Sequence, residues 1–393
     1  MKKVLLIPDS FKGTMSSTEI CKIMAEAVKK TYPAANVISI PVADGGEGSV
    51  DAFLTAMGGE KKTVVVQGPF GSDIESFFGI LKPPAPAPGV LRTGGAGKTA
   101  VIEMAACAGL PLAAAAPNPE KTTTFGAGQL IKAALDEGCT TVIMGLGGSA
   151  TNDGGCGAAA ALGVRFTGKD GTSFVPSGGT LRDIAAIDVS GLDKRLSGVE
   201  LRTMCDIDNP LYGENGAAHI FAPQKGADAA MVARLDEGLC HLAGIVKTSL
   251  GLDLAAMPGA GAAGGMGFGM KVFLGSTLQM GIETVLDTVH FDALLDGADC
   301  VFTGEGKIDT QSLRGKVVIG IARRTKKAAV PLVAVVGDIG DNIEAAYDLG
   351  VSAIFSINRL AIDFSQARLR AKRDMALTME NIMRFHSLRC TTG

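Results

Sequence analysis

The sequence predicts an α/β protein of two domains, in which a parallel three-layer arrangement gives way to a mixed sheet and then resumes. Three observations carry this. Short apolar runs at 3–8, 36–43, 140–144 and 299–303 are too brief for helices, and each closes in a polar, glycine-bearing turn ahead of a helical period. From Thr63 to about Leu81 the period switches to alternation around Pro69 and Gly71, which reads as a hairpin and places a domain junction near residue 65. With 393 residues, 47% hydrophobic and 20% charged, the chain can bury two cores of ordinary size.

Composition excludes several function classes. The net charge is −3, from 37 basic and 40 acidic residues, and the one short basic cluster, Arg323 to Lys327, fits a solvated helix face rather than a nucleic-acid surface. No apolar run approaches the roughly 18 residues of a membrane span, so no membrane association is expected. MKKVLLIPD is a first strand rather than a signal sequence. The eight cysteines are scattered without a CxxC pair, as buried thiols in a reducing compartment are, and the expected location is cytoplasmic.

Taken in order, the first strand, KVLLIP, runs into DSFKGT and a helix that Ser17 or Thr18 caps and that continues to about Lys30. Ligands of open α/β sheets bind beyond the carboxyl ends of strands, which makes Asp9, Ser10 and Lys12 candidates, against the alternative of a capping loop. The run to Ala43 ends in ADGGEGS before a helix from Ser49 to Met57. There Asp44 and Glu47 can converge on one cation or hydroxyl, or serve the helix dipole. PPAPAPG at 83–89 is a stiff surface loop. LRTGGAGKTA is not a phosphate-binding P-loop: GxxxxGK[ST] requires glycine where Arg92 stands, and Lys98 and Thr99 lead into a strand over 100–105.

NPEKTTT at 118–124 precedes a helix over 125–137, and its threonines suit either a cleft wall or a multiple N-cap. Next comes VIMGLGGSATNDGGCG, 142–157. A strand, a glycine loop and a helix present backbone N–H groups to an anion, here Gly145, Gly147 and Gly148, with Ser149, Asn152 and Asp153 as short donors and acceptors. After strand 199–204, Asp206 and Asp208 form an oxygen-rich site that suits magnesium better than zinc. His219, beside Ile220 and Phe221, reads as a packed histidine. In PGAGAAGGMGFG, Gly264 and Gly265 suit a nucleotide-approach or hinge loop, or tight helix packing. Finally TGEGKID sets Glu305, Lys307 and Asp309 at another strand end.

DSFKGT, ADGGEGS, GLGGSATNDGG, CDIDNPL, PGAGAAGGMGFG and TGEGKID, in that order, are similar to the motifs of the type I glycerate kinases of bacteria. The resemblance implies a Rossmann-like α/β/α domain of residues 1–64 and 288–393. A second α/β domain of mixed sheet, 65–287, is inserted into it, with the active site in the cleft between them. It also implies ATP and Mg2+ as cosubstrates and phosphorylation of D-glycerate, with the 2-hydroxyl favoured over the 3-hydroxyl. On that expectation Asp206 and Asp208 hold the metal. Lys12 and the backbone of 145–149 meet phosphate, and Gly264 and Gly265 approach the nucleotide. Ser149, Asn152 and Lys307 contact glycerate with Ser10, Glu305 and Asp309, and Asp153 or Asp44 takes the hydroxyl proton. A kinase of another small hydroxy acid shares these motifs. A nonenzymatic sensor is disfavoured because the acidic residues are all retained, and the sequence leaves a homo-oligomer open.

Overall fold

The computed structural model describes residues 1–43, 45–83 and 97–389. It forms two compact units: Met1–Ala43, Asp51–Met57 and Ile282–Gly393 make the first, and Asp44–Val50 and Gly58–Gly281 the second. The proline-rich loop read at 83–89 falls, from residue 84 on, outside the described residues.

The first unit is a five-stranded parallel sheet in the order Ala353–Ser356, Leu332–Val336, Cys300–Gly304, Lys3–Pro8, Asn36–Ser39. Strand Lys3–Pro8 is buried almost end to end, which is why its sequence is an unbroken apolar run rather than an alternation. From it the chain moves outward on one side to Asn36–Ser39, whereas Cys300–Gly304 and the two later strands lie on the other. The strand order therefore reverses beside Lys3–Pro8. Val4, Leu6 and Phe302 pack with Ile20 and Met24 of helix Ser17–Thr31 and with Met375, Met379 and Met383 of helix Phe364–Arg389. Helix Ser17–Thr31 is capped by Ser16, not by Ser17 or Thr18. The Ser16 hydroxyl accepts from the Glu19 N–H at 3.2 Å while the Glu19 carboxylate accepts from the Ser16 N–H at 3.0 Å. The third residue after a cap must carry the reciprocal carboxylate, and only Ser16 has a Glu there.

The second unit holds a six-stranded mixed sheet: Thr277–Gln279, Glu200–Met204, Cys139–Gly145, Lys98–Glu103, Asp73–Leu81, Gly59–Gln67. The first four run parallel and the last two antiparallel. The alternating stretch is thus a hairpin, as expected, although its first strand begins at Gly59, ahead of the change in sequence period. A smaller antiparallel sheet unites Arg165–Thr167, Ser173–Phe174 and Ala186–Asp188. Lys98 and Thr99 open a strand, so no helix terminus stands where a P-loop would need one.

Candidate active site

In the second unit the site is built around the loop that leaves strand Cys139–Gly145. The strand's glycine end is fixed by close backbone contact. A Cβ on Gly145 would stand 2.3 Å from the Gly45 carbonyl oxygen and one on Gly147 2.6 Å from the Gly46 Cα, and the Gly147 N–H donates to that same Gly45 carbonyl at 3.0 Å. These two glycines thus serve backbone-on-backbone packing against the 45–46 turn.

Asp153 is held at the centre of a dense set of donors. It is fully buried. Its Oδ2 accepts from the Thr124 N–H at 2.7 Å, the Thr124 hydroxyl at 2.9 Å, the Thr123 hydroxyl at 3.3 Å and the Gly157 N–H at 3.2 Å, while Oδ1 accepts from the Gly155 N–H at 3.1 Å. Five donors occupy the lone pairs of one carboxylate. Burial pushes its pKa up and those hydrogen bonds oppose it. The helix-end amides that could have cradled an external anion are therefore consumed by an internal one, and Thr123 and Thr124 serve Asp153 rather than capping helix Phe125–Asp136.

Beside Asp153 lies a residue the sequence did not single out. Lys225, in the short turn Pro223–Lys225, is 2% exposed, and its Nζ donates to the Ser149 hydroxyl at 3.1 Å and the Thr151 carbonyl at 2.6 Å. Burial brings its pKa down to about 7 and the Asp153 charge draws it back up. Only its place between Pro223 and Gly226 in a turn could have marked it, and lysines in turns are usually solvated. In the same loop Thr151 Oγ1, Asn152 Nδ2 and Asn152 Oδ1 are buried without a partner. Unsatisfied buried polar atoms are rare and costly, which marks these three atoms as candidates to meet a bound molecule.

Gly264 and Gly265 sit in a kink of helix Ala262–Leu274, where Ala263, Gly264 and Gly265 all have positive φ. A Cβ on Gly264 would stand 2.0 Å from the Thr151 carbonyl oxygen, and the Gly264 carbonyl accepts the Gly154 N–H at 3.0 Å. The close approach is to the Ser149–Asp153 loop itself, which favours the packing alternative. At the end of strand Glu200–Met204, Asp206 and Asp208 are exposed, and Asp206 accepts the Gly281 N–H at 2.7 Å. Among the described residues no group of three or more Asp, Glu, His or Cys can hold a metal. Asp206 and Asp208 offer carboxylate oxygens, the donor type that magnesium takes one or two at a time. His219 is exposed on helix Ala217–Phe221, its Nε2 3.9 Å from Asp236, rather than packed.

In the first unit the second constellation lies where the strand order reverses. Asp9, Ser10 and Lys12 follow strand Lys3–Pro8, and Glu305, Lys307 and Asp309 follow its neighbour Cys300–Gly304. The Asp9 N–H donates to the Gly304 carbonyl at 2.8 Å and the Ser10 N–H to Asp9 Oδ1 at 2.7 Å. Lys12 and Lys307 are exposed. Asp309 Oδ1 accepts the N–H groups of Gln311 at 2.9 Å and Ser312 at 3.3 Å, closing a turn. Glu305 is 6% exposed, and its Oε1 is buried without a partner. Burial raises its pKa to about 7; a Ser312 hydrogen bond and Lys316 oppose the rise, and Asp9 and Asp309 add to it. Asp44 lies outside the described residues.

Known proteins share this architecture. The glycerate kinase family profile matches residues 4–387. A glycerate kinase of Halalkalibacterium halodurans is 44% identical over 91% of both chains. The glycerate 2-kinase of Escherichia coli K12 is 42% identical over 90% of both. A crystal structure from Salmonella typhimurium LT2, described as a glycerate kinase 2, superposes with a TM-score of 0.84 at 38% identity over 99% of each chain.

Proposed function

The chain belongs to the glycerate kinase family, and from that premise we propose that it transfers the terminal phosphoryl group of ATP to the 2-hydroxyl of D-glycerate, giving 2-phosphoglycerate and ADP. The observation that carries this reading is the 42% identity to the Escherichia coli glycerate 2-kinase along nine-tenths of both chains.

Phosphoryl transfer asks a protein mainly for position and for positive charge near the phosphates. Lys12 and Lys307, exposed at the carboxyl ends of the first unit's strands, are suited to phosphate oxygens. Magnesium, when bound with the nucleotide, neutralises phosphate charge, and Asp206 and Asp208 are the carboxylates that would hold it. Glycerate offers a carboxylate and two hydroxyls, which match the unpartnered amide of Asn152 and the Ser149 hydroxyl that Lys225 holds. In the first unit Ser10 and Asp309 are the polar side chains proposed for substrate contact. Asp153 sets the geometry of that wall through its five hydrogen bonds.

The test is ADP release by the purified protein with ATP, magnesium and D-glycerate, followed by NMR of the product. Glycerate-dependent turnover with phosphorus coupled to the proton on carbon 2 is expected. Coupling to the carbon 3 protons would reassign the enzyme as a 3-kinase. No ADP above the glycerate-free control would overturn the substrate, and a panel of small hydroxy acids would then be screened.

A further inference from the structure

We infer that Glu305 is the general base of this enzyme, the carboxylate that takes the proton from the acceptor hydroxyl. The inference rests on the reading of the protein as a hydroxy-acid kinase and adds the residue that activates the acceptor.

Three features of place support it. Glu305 is the first residue beyond strand Cys300–Gly304, at the point where the strand order reverses beside Lys3–Pro8, and crevices at such points are where open α/β sheets bind ligands. Its backbone is clamped. The Glu305 carbonyl accepts the Gly337 N–H at 3.0 Å, the Gly306 carbonyl accepts the Asp338 N–H at 3.1 Å, and a Cβ on Gly304 would stand 2.1 Å from the Val335 carbonyl oxygen. A base held on such a rigid strand end keeps its reach to the reacting atom. Its side chain is 6% exposed, with Oε1 buried and no donor upon it.

Three other described carboxylates proposed for the site carry hydrogen bonds that hold them in place. Asp153 receives five hydrogen bonds, Asp309 Oδ1 two and Asp9 Oδ1 one from an adjacent amide. The groups acting on Glu305 are Asp9, Asp309, Ser312 and Lys316, with the Lys12 backbone nitrogen 3.9 Å from where a Gly306 Cβ would stand. Burial and the two aspartates hold its pKa near 7, where a carboxylate is basic enough to take a hydroxyl proton yet still ionised in half the molecules or more at neutral pH.

The step balances without another reagent. The glycerate O–H bond breaks and its proton passes to Glu305. The oxygen's electron pair forms the new O–P bond, and the bond from the terminal phosphorus to the bridging oxygen breaks, leaving its electrons on ADP.

Steady-state kinetics across pH 5.5–9.5 on wild type, Glu305→Gln and Ser312→Ala test the inference. Wild type is expected to lose kcat/KM tenfold per pH unit below about 7. Glu305→Gln should lower kcat by roughly 10²–10⁴, leave the glycerate KM within a few fold and abolish the acid limb. Ser312→Ala removes the hydrogen bond that holds the carboxyl down, so its acid limb should move to higher pH. A Glu305→Gln protein with a native melting curve that keeps the acid limb, or loses less than tenfold in kcat, overturns the inference. So does an unmoved limb in Ser312→Ala, which decides the matter if Glu305→Gln fails to fold. Absence of glycerate-dependent turnover in wild type is a separate result: it removes the substrate, and the same profiles are then measured with whichever hydroxy acid the panel yields.

Discussion

Lys225 and Asp153 show how far single residues could be read from the sequence. Asp153 stood out because it follows a strand and a glycine loop, but spacing does not reveal how many donors converge on a side chain. Thr123 and Thr124 reach it from some thirty positions earlier in the chain. Lys225 comes from more than seventy positions later, and only the folded chain joins it to Ser149. Asp153→Asn removes one acceptor oxygen from a buried set of five hydrogen bonds and should destabilise the protein by about 2–4 kcal/mol. In urea unfolding the midpoint should fall, while the acid limb of the pH–rate profile stays in place. A shifted limb would return Asp153 to the role of base. For Lys225 the folded pKa, about 7, lies below its ordinary 10.5. Between those values the unfolded chain holds a proton that the folded chain lacks, so this residue makes stability rise with pH across that window. Lys225→Met should flatten that rise in melting temperatures taken from pH 7 to 10. It should also raise the glycerate KM tenfold or more, since Ser149 loses the charged donor that positions it.

The elements themselves were largely legible. Apolar runs ending in glycine turns gave the parallel strands, alternation gave the hairpin, and helix Ser49–Met57 lies where the sequence places it. The kink in helix Ala262–Leu274 was not legible, because glycines in a helical period signal either close packing or a loop, and only the partner surface decides. That surface is the Thr151–Gly154 backbone, and it makes neighbouring positions respond in opposite ways. Ala263 has φ of 53°, a left-handed conformation that costs a residue with a Cβ roughly 1 kcal/mol. Ala263→Gly should therefore raise the unfolding free energy by a few tenths to 1 kcal/mol, the relief being partly offset by the added freedom of the unfolded chain. Gly264→Ala would drive its methyl to 2.0 Å from the Thr151 carbonyl oxygen. It should lose several kcal/mol and displace Thr151 and Asn152, so activity falls even in the fraction that remains folded. Equal melting temperatures for the two variants would refute this account of the kink.

Across the whole molecule two buried groups, one in each unit, have their pKa moved to about 7, and the two act on stability with opposite sign. In the first unit the Glu305 carboxyl rises from its ordinary 4.5 to about 7. Between those values the folded protein binds a proton that the unfolded chain has already released, so stability falls as pH rises through that window and stays lowered above it. In the second unit Lys225 makes stability recover from about 7 towards 10.5. Together they place a dip near pH 7, where a metabolic enzyme works, which is the signature of functional groups held against their solvation preference. Many other groups titrate over this range, so the dip is read as a difference. Melting temperatures of wild type minus those of the Glu305→Gln, Lys225→Met double variant, taken from pH 4.5 to 10, should trace a minimum near 7. The Glu305→Gln single variant should account for the acid side alone, gaining stability at pH 8 and little at pH 4.5. A difference curve that is flat, or that has its maximum at neutral pH, would mean that neither group is held away from its ordinary protonation in the folded protein.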